Sequence, residues 1–321
     1  MTRIAVLITC FNRCEKTLAC LRSLYAQQCL ADIELQVYLL DAGYDETSAA
    51  VAAQFPTVVL LRGDGNLFWA GGMRIAWQQA LLAPADFYLW LNDDVQLLPD
   101  ALSRLLADYQ QLTAPQQPSV AAVGAIIGTM FHIPPHETLS MPSTPPLTHA
   151  HTITSPTPAT GNLTYGGRRS RSRWFPLQFG AVLMPTSQPQ SCDFINGNLC
   201  LIPAAAVAAI GILSARFTHS MADYDYGLRL KSAGFSLWVG SGFHGCCAMN
   251  DPAASVLNKN RPFAARLKSL QRPNVWAPAN EWAYFVRCHG GPLWPLLWLK
   301  VKLRGWCPAL WLWWSQREIG K

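Results

Sequence analysis

Charge is scarce in these 321 residues: 14% are Asp, Glu, Lys or Arg, while 50% are apolar and 11% aromatic. That balance excludes a disordered chain, which needs high charge and few aromatics. There is no Gly-X-Y period, no heptad run and no internal repeat, so fibrous and solenoid classes are excluded as well. No Cys-x-x-Cys pair occurs among the ten cysteines; Cys10 and Cys14 are four apart, and Cys246 and Cys247 are adjacent. The opening residues carry one Arg, but the apolar run breaks at Thr9 and Asn12 and no small-residue cleavage site follows. This is not the pattern of a signal peptide. The expectation is therefore reduced cytosolic thiols, neither a disulfide framework nor a zinc site. Two nucleotide-binding signatures are also missing. Gly63, Gly65, Gly71 and Gly72 have the wrong gaps for a P-loop or for Gly-x-Gly-x-x-Gly, which weakens ATPase and dinucleotide readings and leaves a flexible loop as the plain alternative.

The length suits one large domain or two small ones, with ample material for a core. The net charge of +6 is unevenly placed: residues 261–321 carry ten Lys/Arg and two acids, whereas residues 1–260 carry 15 basic and 17 acidic residues. The basic tail also holds Trp276, Trp282, Trp294, Trp298, Trp306, Trp311, Trp313 and Trp314. Its most apolar part, 291–314, is interrupted by Lys300, Lys302 and Arg304, and three central cations argue against a spanning helix. Trp mixed with Lys/Arg suits contact with a membrane surface. The alternative is a Trp-rich helix packed on the domain. Nucleic acid is not expected, since no binding motif accompanies the basic residues.

Residues 4–9 read as a strand. Asn12-x-x-Glu15 then reads as a capping box, opening a helix with Leu18, Leu21, Leu24 and Tyr25 on one face. Strands are expected at 35–40, 58–61, 87–91 and 120–127, with helices at 46–54, from the Gly-rich loop to about 82, and from Pro99. This alternation predicts an α/β fold with a mostly parallel mixed sheet flanked by helices. Residues 131–172 break the pattern with seven Pro, thirteen Ser/Thr and four of the seven His, so an irregular insertion is expected. His132, His136, His149 and His151 are read as loop histidines, not metal ligands. Arg168, Arg169, Arg171 and Arg173 end the segment and are read either as phosphate contacts or as a solvated basic turn. Beyond it, a strand at 198–202, a helix opened by Pro203, a second capping box at Ser220-x-x-Asp223 and a last strand at 235–239 are expected.

Ligands of open α/β sheets bind beyond the carboxyl ends of the strands. Three such ends are polar: Thr9, Asp41 and Asn92-Asp93-Asp94. Two adjacent carboxylates after the apolar run 87–91 are costly without a cation, and a hard divalent ion shared with substrate phosphates would offset that. A turn or helix cap is the plain alternative. Asp223 and Asp225 cannot share one helix face. Asp225 has Arg229 at i+4, which suits an ion pair and leaves Asp223 as the free carboxylate, a candidate general base near a helix N-terminus.

The order Thr9-Cys-Phe-Asn-Arg13, Asp41 with Asp45-Glu-Thr47, Gly65-Asn-Leu-Phe-Trp-Ala-Gly-Gly72 and Leu91-Asn-Asp-Asp94 resembles family 2 glycosyltransferases of the GT-A fold. Asp193-Phe-Ile-Asn-Gly-Asn198 resembles the acceptor-side strand of that family. Phe217-Thr-His219 through Asp223-Tyr-Asp225-Tyr-Gly-Leu-Arg229 resembles its Glu-Asp-x-Asp-Leu…Arg helix. The similarity runs from residue 2 to about 250, and the nearest subgroup is the rhamnosyltransferase-like enzymes of bacterial surface-polysaccharide assembly.

The resemblance implies a GT-A domain at 1–260, with a nucleotide half at 1–128, the insertion at 131–172 and an acceptor half at 174–260. A helical, basic, Trp-rich tail follows at 261–321. It implies that Thr9, Asn12, Arg13, Asp41, Asn66, Trp69, Gly71, Gly72, Asn92 and Asp93 bind the nucleotide-sugar. Asp94 is the main metal ligand, with His244 as a second ligand or else a structural histidine. Asp223 is the base, and Asn196, Gly197, Asn198, His219, Asp225 and Arg229 serve the acceptor side. Asn92 and Ala222 depart from the usual Asp and Glu. The implied reaction is inverting transfer, in one displacement, from a UDP- or dTDP-sugar to a glycan or lipid-linked glycan. It uses Mn2+ or Mg2+, in the cytoplasm or on the cytoplasmic face of a membrane. Rivals are a catalytically silent scaffold bound to the membrane by its tail, a sugar nucleotidyltransferase, whose Gly-rich signature is missing from the first loop, and a paired-acid hydrolase.

Overall fold

The computed structural model describes residues 1–28, 31–115, 121–132, 163–172, 176–249, 256, 258, 260–270, 272 and 278–318, with side chains to residue 313. The first half alternates strand and helix: β1 (Thr2–Cys10), α1 (Cys14–Tyr25), β2 (Ile33–Asp41), α2 (Thr47–Gln54), β3 (Val59–Arg62), α3 (Phe68–Ala80), β4 (Phe87–Leu91), β5 (Gln96–Leu97), α4 (Ala101–Thr113) and β6 (Val123–Ile127). There follow β7 (Met130–His132), β8 (Leu163–Tyr165), β9 (Arg168–Ser170), β10 (Phe179–Val182), β11 (Gln190–Ser191), β12 (Leu199–Pro203), α5 (Ala204–Ile210), α6 (Ala222–Ser232), β13 (Ser236–Val239) and β14 (Gly245–Cys247). The tail is helical: α7 (Phe263–Leu270), α8 (Ala279–His289), α9 (Trp294–Trp306) and α10 (Pro308–Glu318).

The central sheet has eight strands in the order β11-β13-β6-β12-β4-β1-β2-β3. β1 runs parallel to β2 and β4, β2 to β3, and β6 to β13. β12 lies antiparallel between β4 and β6, and β11 antiparallel on β13. Strand side chains alternate between faces, and β1 uses both. Ile4, Val6 and Ile8 join the core under α1 with Leu18, Leu21 and Leu24. Ala5 and Leu7 join the opposite core with Met73, Ala76 and Trp77 of α3. Near-continuous apolar strands are what a sheet covered on both faces requires.

The segment 131–172 is less irregular than its composition suggests. Its described ends form β7, β8 and β9, and β8 and β7 extend a second sheet of order β5-β14-β7-β8. His136, His149, His151 and Arg173 lie outside the described residues. β5, β8, β9, β10, β11 and β14 were not expected because strands of two to four residues carry no readable period.

Neither expected capping box forms. Asn12 has φ 50°, and its Oδ1 accepts the Tyr44 N–H (2.8 Å) instead. α1 starts at Cys14 without a side-chain cap. At the second, Met221 is the cap residue in a left-handed conformation and α6 begins at Ala222, one residue too late for Ser220 to cap it. Among the described residues no helix is long and apolar enough to cross a membrane.

Trp77 is fully buried and packs against Tyr88, Trp90 and Tyr226 at ring-centroid distances of 5.7, 5.6 and 5.3 Å. It joins α3, β4 and α6. Trp77→Ala is expected to cost about 3–5 kcal/mol through the cavity it leaves, read as a lowered urea midpoint at unchanged m-value.

Candidate active site

Beyond the carboxyl ends of β1 and β4 lies a cavity of about 640 Å³. Its wall includes Thr9, Arg13, Trp69, Asn92, Asp93, Asp94, Asn196, Gly197, Asn198, His219 and Asp223. Gly72 brings α3 close to this end of β1: a Cβ there would stand 2.2 Å from Thr9 Oγ1.

The loop after β4 presents two carboxylates. Arg13 Nη1 bridges them, 3.2 Å from Asp93 Oδ1 and 3.2 Å from Asp94 Oδ2. Asp93 is buried, and its Oδ2 has no hydrogen-bond partner. Burial pushes the Asp93 carboxyl up to about 7, against the opposing pull of Arg13. The carboxylates in turn raise the Arg13 guanidinium above its ordinary value, Asp93 foremost.

Asn92 points the other way. Its Oδ1 accepts the Trp69 Nε1–H (2.8 Å), and its Nδ2 donates to Asn198 Oδ1 (3.1 Å). A carboxylate could not make that second bond, which accounts for an amide at this position.

Elsewhere in the cavity wall, Gly197 N–H donates to Asp223 Oδ2 (3.1 Å) and Tyr224 N–H to Asp223 Oδ1 (2.8 Å). Two backbone donors fix the carboxylate and favour its ionised form. Burial outweighs them and pushes the carboxyl up to about 6. His219 also lines the cavity; its Nδ1 accepts the Trp69 N–H (3.4 Å), and burial lowers it below the ordinary histidine value.

Residues 5–154 match the family described as Glycosyl transferase family 2. That match, just under half of the chain, makes these residues similar to a family 2 glycosyltransferase domain. The chain superposes on a mannosyltransferase from Pyrobaculum calidifontis solved with GDP-Man and Mn2+, at 14% identity and TM-score 0.50, over 97% of this chain and 71% of that one. TarS of S. aureus solved with UDP gives 12% identity and TM-score 0.48, over 84% and 69%. Among curated protein sequences, none matches this chain. The mixed, mostly parallel sheet flanked by helices is the GT-A fold, and the activity that goes with the family domain is sugar transfer.

Several residues expected to bind the nucleotide-sugar are not in the cavity wall. Asp41 is fully buried, and its carboxylate accepts from Gly43 N–H (2.8 Å), Ser48 Oγ (2.5 Å) and Arg62 Nη1 (2.5 Å). It shapes the loop after β2 from within. Asn12 binds that same loop, Asn66 is exposed with its N–H on Asp64, and Gly71 and Gly72 sit inside α3.

Asp225 faces away from Asp223, as the spacing demands. Its carboxylate takes Arg229 Nε (2.8 Å) and lies 2.9 Å from His289 Nε2 of α8. Arg229 also donates to the carbonyls of Ile210 and Ile212. The pair therefore anchors α6 to its neighbours, whereas the acceptor side was expected. His244 is fully buried, accepts the Thr129 N–H at Nδ1 (3.3 Å) and is held neutral by burial, which lowers it to about 3. It is not in the cavity wall, and no group of three His, Cys, Asp or Glu among the described residues could hold a metal.

Sequence reasoning missed Phe68, Thr164, Tyr165, Val182 and Tyr224, all of which line the cavity. Arg168 was flagged within its basic cluster, and it alone of the described three reaches the wall, with Nη1 donating to Gly180 O (2.7 Å). The only signal for this flank was that cluster.

A carboxyl raised to about 6 stabilises the fold while protonated. That contribution is full below about 4 and is lost as the pH rises through about 6. Asp223→Asn keeps an acceptor for Gly197 N–H but cannot ionise. In urea titrations the variant should match the wild type near pH 4 and exceed it above pH 6, by on the order of 1 kcal/mol. Asp93 is common to both proteins and cancels.

Proposed function

We propose that the protein transfers a sugar from a nucleoside-diphosphate donor to a hydroxyl of a glycan or lipid-linked glycan, inverting the anomeric centre in one displacement. The observation that carries this reading is a single cavity walled both by the Asp93–Asp94 pair and by the separate carboxylate of Asp223. Residues 1–128 supply the donor half, and residues 174–260 the acceptor half. The resemblance to rhamnosyltransferase-like enzymes of surface-polysaccharide assembly favours a UDP- or dTDP-sugar and a cytoplasmic site of action.

The residues fit a divalent cation, Mn2+ or Mg2+. The Oδ2 of Asp93, buried and without a hydrogen-bond partner, stands beside Asp94, and one or two carboxylates with substrate phosphates suit such ions. Asp94 and Asp93 would hold it, and when bound it supplies Lewis-acid stabilisation of the leaving diphosphate. The P. calidifontis enzyme of the same fold was solved with Mn2+, which agrees with that fit. His244 is left out of the set. Arg13, bound to both carboxylates, brings a fixed positive charge to the diphosphate side. Thr9 and Trp69 wall the donor pocket, and the Asn92–Asn198 bond holds that wall against the acceptor loop.

Asp223 takes the proton of the attacking hydroxyl. A base must be ionised and held in place, and its carboxyl, raised to about 6, is ionised at neutral pH while being a stronger base than an ordinary aspartate. Ala222, fully buried, offers no second carboxylate, and backbone N–H groups, those of Gly197 and Tyr224 among them, orient this base.

Calorimetry with UDP, dTDP and GDP, each with and without Mn2+, tests the donor side. One nucleotide should bind tightly and only with Mn2+, and Asp94→Ala should abolish that binding. Failure of all three to bind folded protein returns the reading to a transferase-shaped scaffold. For the base, Asp223→Asn is expected to lose about 10²–10⁴-fold in turnover with nucleotide affinity kept. The wild-type rate should rise with pH through about 6.

A further inference from the structure

Helix α9 is apolar on two sides. Its inner side, with Trp294, Leu297, Trp298 and Val301, packs with Ala283 and Val286 of α8. Arg304 continues that side, buried against the Trp282 and Trp311 rings. The other side carries Leu296, Leu299, Leu303 and Trp306 at steps of three, four and three residues, a second stripe along the same helix. This stripe faces solvent: Leu296 is 66% exposed, Leu299 55% and Trp306 64%. Leu310 and Trp313 of α10 are exposed in the same way. A helix turns about 100° per residue, which sets Lys300 on one edge of the stripe and Lys302 on the other. Lys302 reaches over the Trp298 ring, its Nζ 5.4 Å from the centroid. No Asp or Glu occurs between Glu281 and Glu318.

We propose that this outer face of α9, with Leu310 and Trp313 of α10, docks on the surface of a bilayer that carries anionic lipid. A solvent-facing row of Leu and Trp lined by lysines is suited to lie in the interface plane: apolar side chains enter the acyl boundary while the lysine stems snorkel to the headgroups. Two observations converge on that occupant. The exposed stripe is apolar where water would favour polar residues, and the charged residues of its own helix, Lys300, Lys302 and Arg304, are all cationic. The platform is tied to the cavity side of the molecule. Glu281 at the start of α8 accepts the Thr218 N–H (3.2 Å), and His289 at its end meets Asp225 of α6. A bilayer bound there holds a lipid-linked acceptor near the enzyme. That last step rests on the proposed sugar transfer, but the docking itself does not.

The test is co-sedimentation of the full-length protein with vesicles of phosphatidylglycerol and, separately, of phosphatidylcholine. Binding is expected to phosphatidylglycerol, and it should weaken with added salt. The triple variant Leu296→Ser, Leu299→Ser, Trp306→Ser should lose at least about tenfold in partitioning. The double variant Lys300→Gln, Lys302→Gln should lose about fivefold per lysine. Because the three apolar side chains are exposed, the triple variant should keep the wild-type circular dichroism and the wild-type Mn2+-dependent nucleotide binding. The nucleotide readout separates failure of docking from failure of the transferase reading. Equal sedimentation of wild type and triple variant would overturn the proposal, as would no binding to either vesicle. A soluble dimer that the serine variant converts to monomer would also overturn it, assigning the face to a second copy of the chain.

Discussion

The site depends on one pairing, the antiparallel insertion of β12 between β4 and β6. Parallel strands bring only carboxyl ends to the ligand edge. By running the other way, β12 brings its amino-terminal turn, Asn196-Gly197-Asn198, against Asn92-Asp93-Asp94. The Asn92 N–H donates to the Asn198 carbonyl (2.9 Å), and the two side-chain amides meet at 3.1 Å. Gly197 then reaches Asp223. The Asp93–Asp94 pair and Asp223 thus share one cavity because β12 runs against both of its neighbours.

Around that pairing the molecule manages negative charge with few cations. Asp93 and Asp94 share one guanidinium, Asp223 has only backbone donors, and Asp41 and Asp225 are neutralised elsewhere by Arg62 and Arg229. The carboxylates that shape loops and helices are paired, whereas Asp93 and Asp223 on the cavity wall are underpaired and raised by burial. Groups left in that state are suited to bind a cation or a proton, which is what the proposed transfer asks of them.

The tail adds a second use of apolar surface. One side of α9 completes a small core with α8, and the other is left outside. Its Trp and Leu content would suit an ordinary packed helix, and the exposure of alternate positions separates the two uses.

The alternation of apolar runs and helical periods made the nucleotide half legible: β1, β2, β4 and α1 fall within a few residues of where the pattern places them, because each is long enough to carry a period, and the short β3 was read from its apolar run alone. The adjacent acids after β4 and the two-residue offset of Asp223 and Asp225 were legible for the same local reason. Tertiary structure decided the rest. Only packing could show that Asn92 is an amide because it must donate to Asn198. Asp41 is consumed by Arg62 and Ser48, and His244 is buried beneath Thr129. Apart from Ser48, those partners stand 21 to 115 residues away, and hydrogen-bond satisfaction across such distances leaves no spacing in the sequence to read.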